Sequence, residues 1–168
     1  SSPVALTPIE HNILEYFSNS VAVSYENMHL RLTVQESQKE IAYLLGEAVE
    51  KRSKETGSHV RRVAHYSYLL GRKSGMSENV ASHLKSASPL HDVGKIAIPD
   101  HILNKPGKLT PDEWEIMQAH AKQGEDILST SSNEIIKMAA VVAGQHHERW
   151  DGSGYPRGLK GEEIHLAG

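Results

Sequence analysis

Five of the eleven histidines in this chain, His59, His91, His120, His146 and His147, fall where the periodicity of their segments places interior side chains. Val80, Leu84, Ala87 and His91 share one helical face. Ile135, Ala139, Val142 and His146 share another, with Ile136, Ala140, Ala143 and His147 on the line beside it. His120 sits next to the apolar face of Trp114, Met117, Ala121 and Leu128. Burying these faces against one another brings several imidazoles into one interior. Each buried polar group left without a partner costs roughly 1–3 kcal/mol, so such a fold either satisfies them internally or gathers them around cations.

Composition narrows the architecture. Hydrophobic residues make up 38% of the 168 and aromatic residues only 5%. The interior is therefore built from Leu, Ile, Val, Ala and Met, which suits packed helices better than a sheet sandwich. The expectation is an all-α helical bundle of one domain, carrying a long N-terminal helix. Formal charge is -3, with both signs spread along the chain, so there is no basic stripe and no DNA or RNA duplex is expected as a partner. The chain has no cysteine, which fits a reducing compartment and leaves only nitrogen and oxygen ligands for any metal. No apolar run approaches the ~20 residues of a membrane span, so membrane insertion is not expected, and the opening "SSPVAL" reads as the start of a soluble fragment.

Local signals place the helices. "TPIE" at Thr7 to Glu10 combines a capping Thr, a Pro at the first helical position and a Glu three residues on. Ile9, Ile13, Phe17 and Val21 follow, and Met28, Leu32, Ile41, Leu45, Ala48 and Val49 extend the pattern as one helix or two. This stretch is either a helix packed on its own domain or a signalling helix that pairs with a second copy. A helix with Val63, Tyr66 and Leu70 inward is expected to end near Gly71 or Gly75, and Ser77 to cap the next, which Pro89 kinks. "TPDE" at Thr110 repeats the capping arrangement, and a last helix begins near Ser132. Beyond it, Gly152, Gly154, Pro156, Gly158 and Gly161 mark an irregular loop.

The polar residues on these elements point to metal chemistry. Glu55 and His59, four apart, share a helical face. His91 and Asp92 are adjacent, and helical neighbours diverge by about 100°, so Asp92 is placed to bridge two cations. His146 and His147 are likewise placed to serve different ions. Five nitrogens with two carboxylates exceed one tetrahedral zinc, so two or more ions fit better, and metal pairs about 3.5–4 Å apart suit phosphoryl hydrolysis. Lys95 either neutralises phosphate charge and assists a leaving group or is a surface lysine at a helix end. Tyr155 and Arg157 in the glycine-rich loop offer stacking and a bidentate phosphate grip, or the loop is an ordinary surface connection.

The stretches "HVRR", "LHDVGKIAIPDHILNKPGKLT", "HAKQG" and "HHERWDGSGYPRGLKG" resemble the HD-GYP family of the HD phosphohydrolase superfamily, over about Gln38 to Gly168. The resemblance implies a helical domain holding two or three divalent ions, iron or manganese in the first place and zinc as an option, that hydrolyses cyclic di-GMP to pGpG or GMP in the bacterial cytoplasm. It implies Glu55, His59, His91, Asp92, His120, His146 and His147 as ligands, with Asp92 and Lys95 catalytic. Lys95, Gly154, Tyr155, Pro156 and Arg157 become substrate-binding residues, the middle three forming the GYP signature. His165 stands where the family usually has Pro. The resemblance divides the chain into residues 1–35, the end of an upstream sensory or linker helix of response-regulator type, and residues 36–168, an HD-GYP domain lacking a later aspartate ligand and closing helices. Expected partners are cyclic di-GMP, a second copy through the N-terminal helix, and other signalling domains. The competing readings are an inactive cyclic-di-GMP-binding or protein-interaction module and an HD hydrolase of another nucleotide.

Overall fold

The computed structural model describes residues 7–53 and 58–168. The chain divides into two compact units, residues 1–39 and 40–168. One helix, α1 (Pro8–Arg52), accounts for the whole N-terminal pattern. Its start is the expected capping box: Glu10 donates its N–H to Thr7 Oγ1 at 3.3 Å, and the Thr7 N–H donates to Glu10 Oε2 at 2.8 Å. Within the first unit Ile13, Phe17, Val21, Met28 and Leu32 are exposed.

The second unit is all-α. After the end of α1 come α2 (Ser58–Lys73), α3 (Glu78–Ala87), α4 (Asp100–Leu103), α5 (Pro111–Leu128) and α6 (Glu134–Gln145), with short 3-10 turns at Ser88–Leu90 and Val93–Ala97. Among the described residues the β-structure is an isolated bridge between Asp151 and Lys160. α2 packs on α3, α3 on α6 and α6 on α5, while α5 also covers the Val93–Ala97 turn. Ala42, Val49, Ala87, Leu90, Val93, Leu128, Ala139, Ala140 and Ala143 form the main core. Most of these side chains are small, so backbones approach closely, as an aromatic-poor composition requires. Among the described residues no helix is long and apolar enough to cross a membrane.

Four inward assignments and one helix end shift. On α2 the buried residues are Val60 and Ala64, whereas Tyr66 is 57% and Leu70 66% exposed; the stripe of smaller side chains wins because it lets α2 and α3 pack more tightly. Helix α3 stops at Ala87 instead of running through a kink to His91. Pro89 has no N–H to return to the preceding turn, and the chain tightens into 3-10 geometry, with the His91 N–H donated to Ser88 O at 3.1 Å. Val80 on α3 and Trp114 on α5 face outward. The capping predictions at Ser77 and Thr110 agree with the structure, and the last helix, expected from near Ser132, is capped by Asn133.

Two contacts fix the turn after Asp92. A Cβ at Gly94 would stand 1.9 Å from His120 O, so only glycine lets this turn lie against α5. From the other side Arg52, the last residue of α1, donates to Lys95 O at 2.6 Å, Ile96 O at 3.0 Å and Ile98 O at 2.7 Å, and pairs with Asp100 at 2.9 Å. Replacing Arg52 by Ala leaves those carbonyls without their charged donor, an expected loss of about 2–3 kcal/mol in urea denaturation. Arg52→Lys is expected to recover less than half of it, because an ammonium lacks the planar fork.

Candidate metal centre

Asp92 is the hub of the site. It is buried, 7% exposed, at the junction of the two 3-10 turns. Its Oδ1 lies 3.2 Å from His120 Nε2 and 3.6 Å from His146 Nε2; its Oδ2 lies 3.2 Å from His91 Nε2 and 2.8 Å from Lys95 Nζ. Burial alone would raise the Asp92 pKa, but hydrogen bonding with His120, His146 and His91 holds it far below the usual carboxylate range. Asp92 is therefore an anion throughout the working pH range.

The imidazoles are held by their other nitrogens. His91 Nδ1 lies 3.0 Å from Ser88 O, His120 Nδ1 2.7 Å from Met117 O, and His146 Nδ1 3.0 Å from Ala143 O. A carbonyl only accepts, so each Nδ1 carries a proton, and Nε2 is the atom each ring turns toward Asp92, donating there when protonated and offering a lone pair once that proton is gone. His120 Nε2 and His146 Nε2 are 3.4 Å apart and both face the Asp92 carboxylate. A cation bound there would take the place of the Nε2 protons, and the backbone bonds supply the orientation that metal-bound histidines need. His147 completes this group, its ring 4.1 Å from that of His146. Burial, together with the neighbouring imidazoles, pushes the His147 pKa down to about 4, so it is neutral near pH 7.

A second group lies beside the first. Glu50, His59 and His91 bring one ligand atom each within 4.8 Å of one another, as do Asp92, His120, His146 and His147. Glu50 is 1% exposed and its Oε1 is 3.8 Å from His59 Nε2. Sequence reasoning passed over Glu50 in favour of Glu55, which lies outside the described residues. The signal was present: Ala42, Gly46 and Val49 define the buried face of α1, and Glu50, four residues after Gly46, falls on it. The donor set, nitrogen and oxygen atoms in two adjoining clusters, fits divalent ions.

The loop after α6 closes one side. A Cβ at Gly154 would stand 2.4 Å from Arg149 N and 2.6 Å from His147 O, so the loop can fold back on the histidine pair only with glycine there. Tyr155 donates its N–H to His147 O at 3.2 Å, and its ring stacks on the His147 imidazole at 4.5 Å. Glu148 accepts the backbone N–H groups of Arg157 and Leu159 at 2.8 and 2.9 Å, tying the loop to the end of α6. Pro156 follows a cis peptide bond. Burial and the Asp92 charge raise the Tyr155 hydroxyl to about 12, which keeps it a proton donor. Arg157 is paired with Glu125 at 2.8 Å and contacts Gly144 O, so its guanidinium is engaged by the protein.

The HD domain family profile matches residues 43–168. The chain is 47% identical over 163 residues to a 3'3'-cGAMP-specific phosphodiesterase 2 of Vibrio cholerae, covering 97% of this chain and 31% of that protein. It is 50% identical over 129 residues to a cyclic di-GMP phosphodiesterase of Thermotoga maritima, covering 77% of this chain and 35% of the relative. It is 46% identical over 133 residues to the cyclic di-GMP phosphodiesterase response regulator RpfG of Xanthomonas campestris, covering 79% and 35%. The chain thus spans about a third of the length of these relatives. With Asp92 and its imidazoles in place, this chain belongs to the HD domain family and, by its complete GYP loop, to the HD-GYP branch of it.

Metal uptake has a predicted pH signature. Burial would lower the His91 pKa, but its hydrogen bond and charge interaction with Asp92 raise it overall above 6.5. A cation at Nε2 competes with that proton, so affinity falls as pH drops through 7 toward 5, and binding near pH 6.5 releases protons. Calorimetric titration of Mn2+ in buffers of different ionisation heat is expected to show this release. Asp92→Asn, which removes the central charge, is expected to weaken binding roughly 100-fold or more.

Proposed function

We propose that this chain is the catalytic module of a metal-dependent phosphodiesterase that opens a cyclic dinucleotide, with cyclic di-GMP as the substrate and pGpG or GMP as product. The observation that carries this reading is Asp92 in contact at once with imidazoles of three elements and with the Lys95 ammonium. Glu50, His59, His91, Asp92, His120, His146 and His147 would hold the ions, two or more of them and of the iron or manganese type. When bound, such ions polarise phosphate oxygens and bring the pKa of a water near neutrality.

The chain's own groups do the rest. Lys95, anchored on Asp92 and largely buried, places a positive charge where a phosphate must lie and donates a proton to the departing sugar oxygen. The Tyr155 hydroxyl, kept protonated by its surroundings, donates to a phosphate oxygen. Gly154 and Pro156 set the loop that presents it. Bacterial signalling in the cytoplasm, downstream of a sensory or receiver domain, is the setting this reading implies.

A second reading concerns the base: the Vibrio cholerae relative is named for 3'3'-cGAMP, so that dinucleotide is the alternative substrate. A third concerns assembly. Leu14, Val21 and Met28 recur every seven residues on α1 and are 51%, 50% and 53% exposed, a seam that suits parallel pairing with a second copy.

Chain loaded with Fe2+ or Mn2+ is expected to convert cyclic di-GMP to linear product, followed by chromatography beside 3'3'-cGAMP. Lys95→Ala is expected to keep its metal and lose about 10²–10³-fold in kcat, whereas Asp92→Ala loses metal and turnover together. Full metal loading with no cleavage of either dinucleotide would leave a binding module instead. In sedimentation equilibrium Val21→Glu is expected to convert a dimer to monomer; an unaltered mass would remove the helix-pairing reading.

A further inference from the structure

Next to the ligand cluster opens a cavity of about 500 Å³ whose wall includes Trp114, Gln118, His147, Arg149 and Tyr155. Its size lies within the roughly 300–1,000 Å³ of ordinary small-molecule sites. Two of its features are not explained by metal binding. Trp114, on the first turn of α5, is 48% exposed although it is one of only two tryptophans in the chain. Its ring meets that of Tyr155 at 6.1 Å and 81°, while Tyr155 lies nearly parallel to His147. The three rings make a corner beside the site, with Trp114 half exposed on the cavity wall. Arg149 is the second feature. The other arginines near the site are spent on the protein, Arg52 on three carbonyls and Asp100, and Arg157 on Glu125. Arg149 is exposed; its carbonyl accepts the Gly152 N–H at 2.8 Å and its charge acts on Asp151 two residues on, while among the described residues its guanidinium makes no hydrogen bond or ion pair.

We infer that Trp114 and Arg149 form a guanine-binding subsite. The purine stacks on the Trp114 face, and the Arg149 fork donates two N–H groups to guanine O6 and N7. Every base offers a π-face, so stacking supplies affinity without choice. Choice comes from the fork: guanine presents two acceptors side by side, whereas adenine presents an acceptor and a donor, which a guanidinium cannot match. Gln118 on the same wall carries an amide, the group that would favour adenine, so base preference is a direct test of which side chain governs. The inference rests on the phosphodiesterase reading for its placement, since a base lies here only when its phosphate is held near Lys95, but its test needs no turnover.

In Trp150→Phe protein Trp114 is the remaining tryptophan and reports on its own surroundings. Metal-loaded protein is titrated with GMP, AMP and ribose 5-phosphate, following fluorescence quenching, with metal content and circular dichroism measured on every variant. GMP is expected to quench saturably, AMP to bind at least about tenfold more weakly, and ribose 5-phosphate not to quench. Adding Arg149→Ala is expected to bring GMP down to the level of AMP, and Arg149→Lys not to restore it, because an ammonium cannot form the paired bonds. In calorimetry, Trp114→Ala is expected to weaken GMP and AMP alike, while Trp114→Phe retains most of the binding. Equal quenching by GMP and AMP, quenching by ribose 5-phosphate alone, or a GMP preference that survives Arg149→Ala overturns the subsite. If GMP binds as expected but no cyclic dinucleotide is cleaved, the subsite stands and the phosphodiesterase reading falls; cleavage without guanine preference gives the reverse.

Discussion

A single buried carboxylate organises this molecule. Asp92 receives contacts from imidazoles on the 3-10 turn, α5 and α6 and from the Lys95 ammonium, and an isolated anion at that depth would be prohibitively costly. The packing can be read as the means of bringing those partners in. Gly94 lets α5 close on the turn, Arg52 holds the turn from the far side, and the small residues of α3, α5 and α6 let the helices approach. A change at any of these places would act on the site through the geometry around Asp92.

The glycine-rich loop obeys a similar economy. Gly154 makes possible the fold-back onto His147, and Glu148 then spends both carboxylate oxygens on loop amides. The loop is thereby registered against the histidine pair by backbone contacts, and the Tyr155 ring arrives stacked on the His147 imidazole. The signature residues thus divide into one that permits close approach and one that supplies a ring and a hydroxyl.

Much of this was legible in the sequence, for identifiable reasons. Capping boxes at Thr7 and Thr110 are local chemistry, and local chemistry survives folding. His120 and His146 could be placed inward because they extend regular helical stripes, and the structure brings them within 3.4 Å of each other. His91 came to the same place by another route, through a 3-10 turn and not along a continuous helix. What was hidden depended on tertiary choice. Glu50 looks like one more charge on a long helix until Gly46 and Val49 are known to be buried. Tyr66 and Leu70 look like core residues until α3 is seen to pack on the smaller stripe. The pairing of Arg157 with Glu125, distant in sequence, was likewise not legible.

The histidine Nδ1 bonds carry one last implication. Each of His91, His120 and His146 is anchored to a carbonyl only three residues earlier in its own turn, so ring orientation is inherited from local backbone and needs no ion to establish it. These three rings are then set in place by folding, as a socket and not as a clasp that closes around its guest. Such a socket exacts little ordering entropy when an ion enters and discriminates among ions mainly by size and preferred geometry.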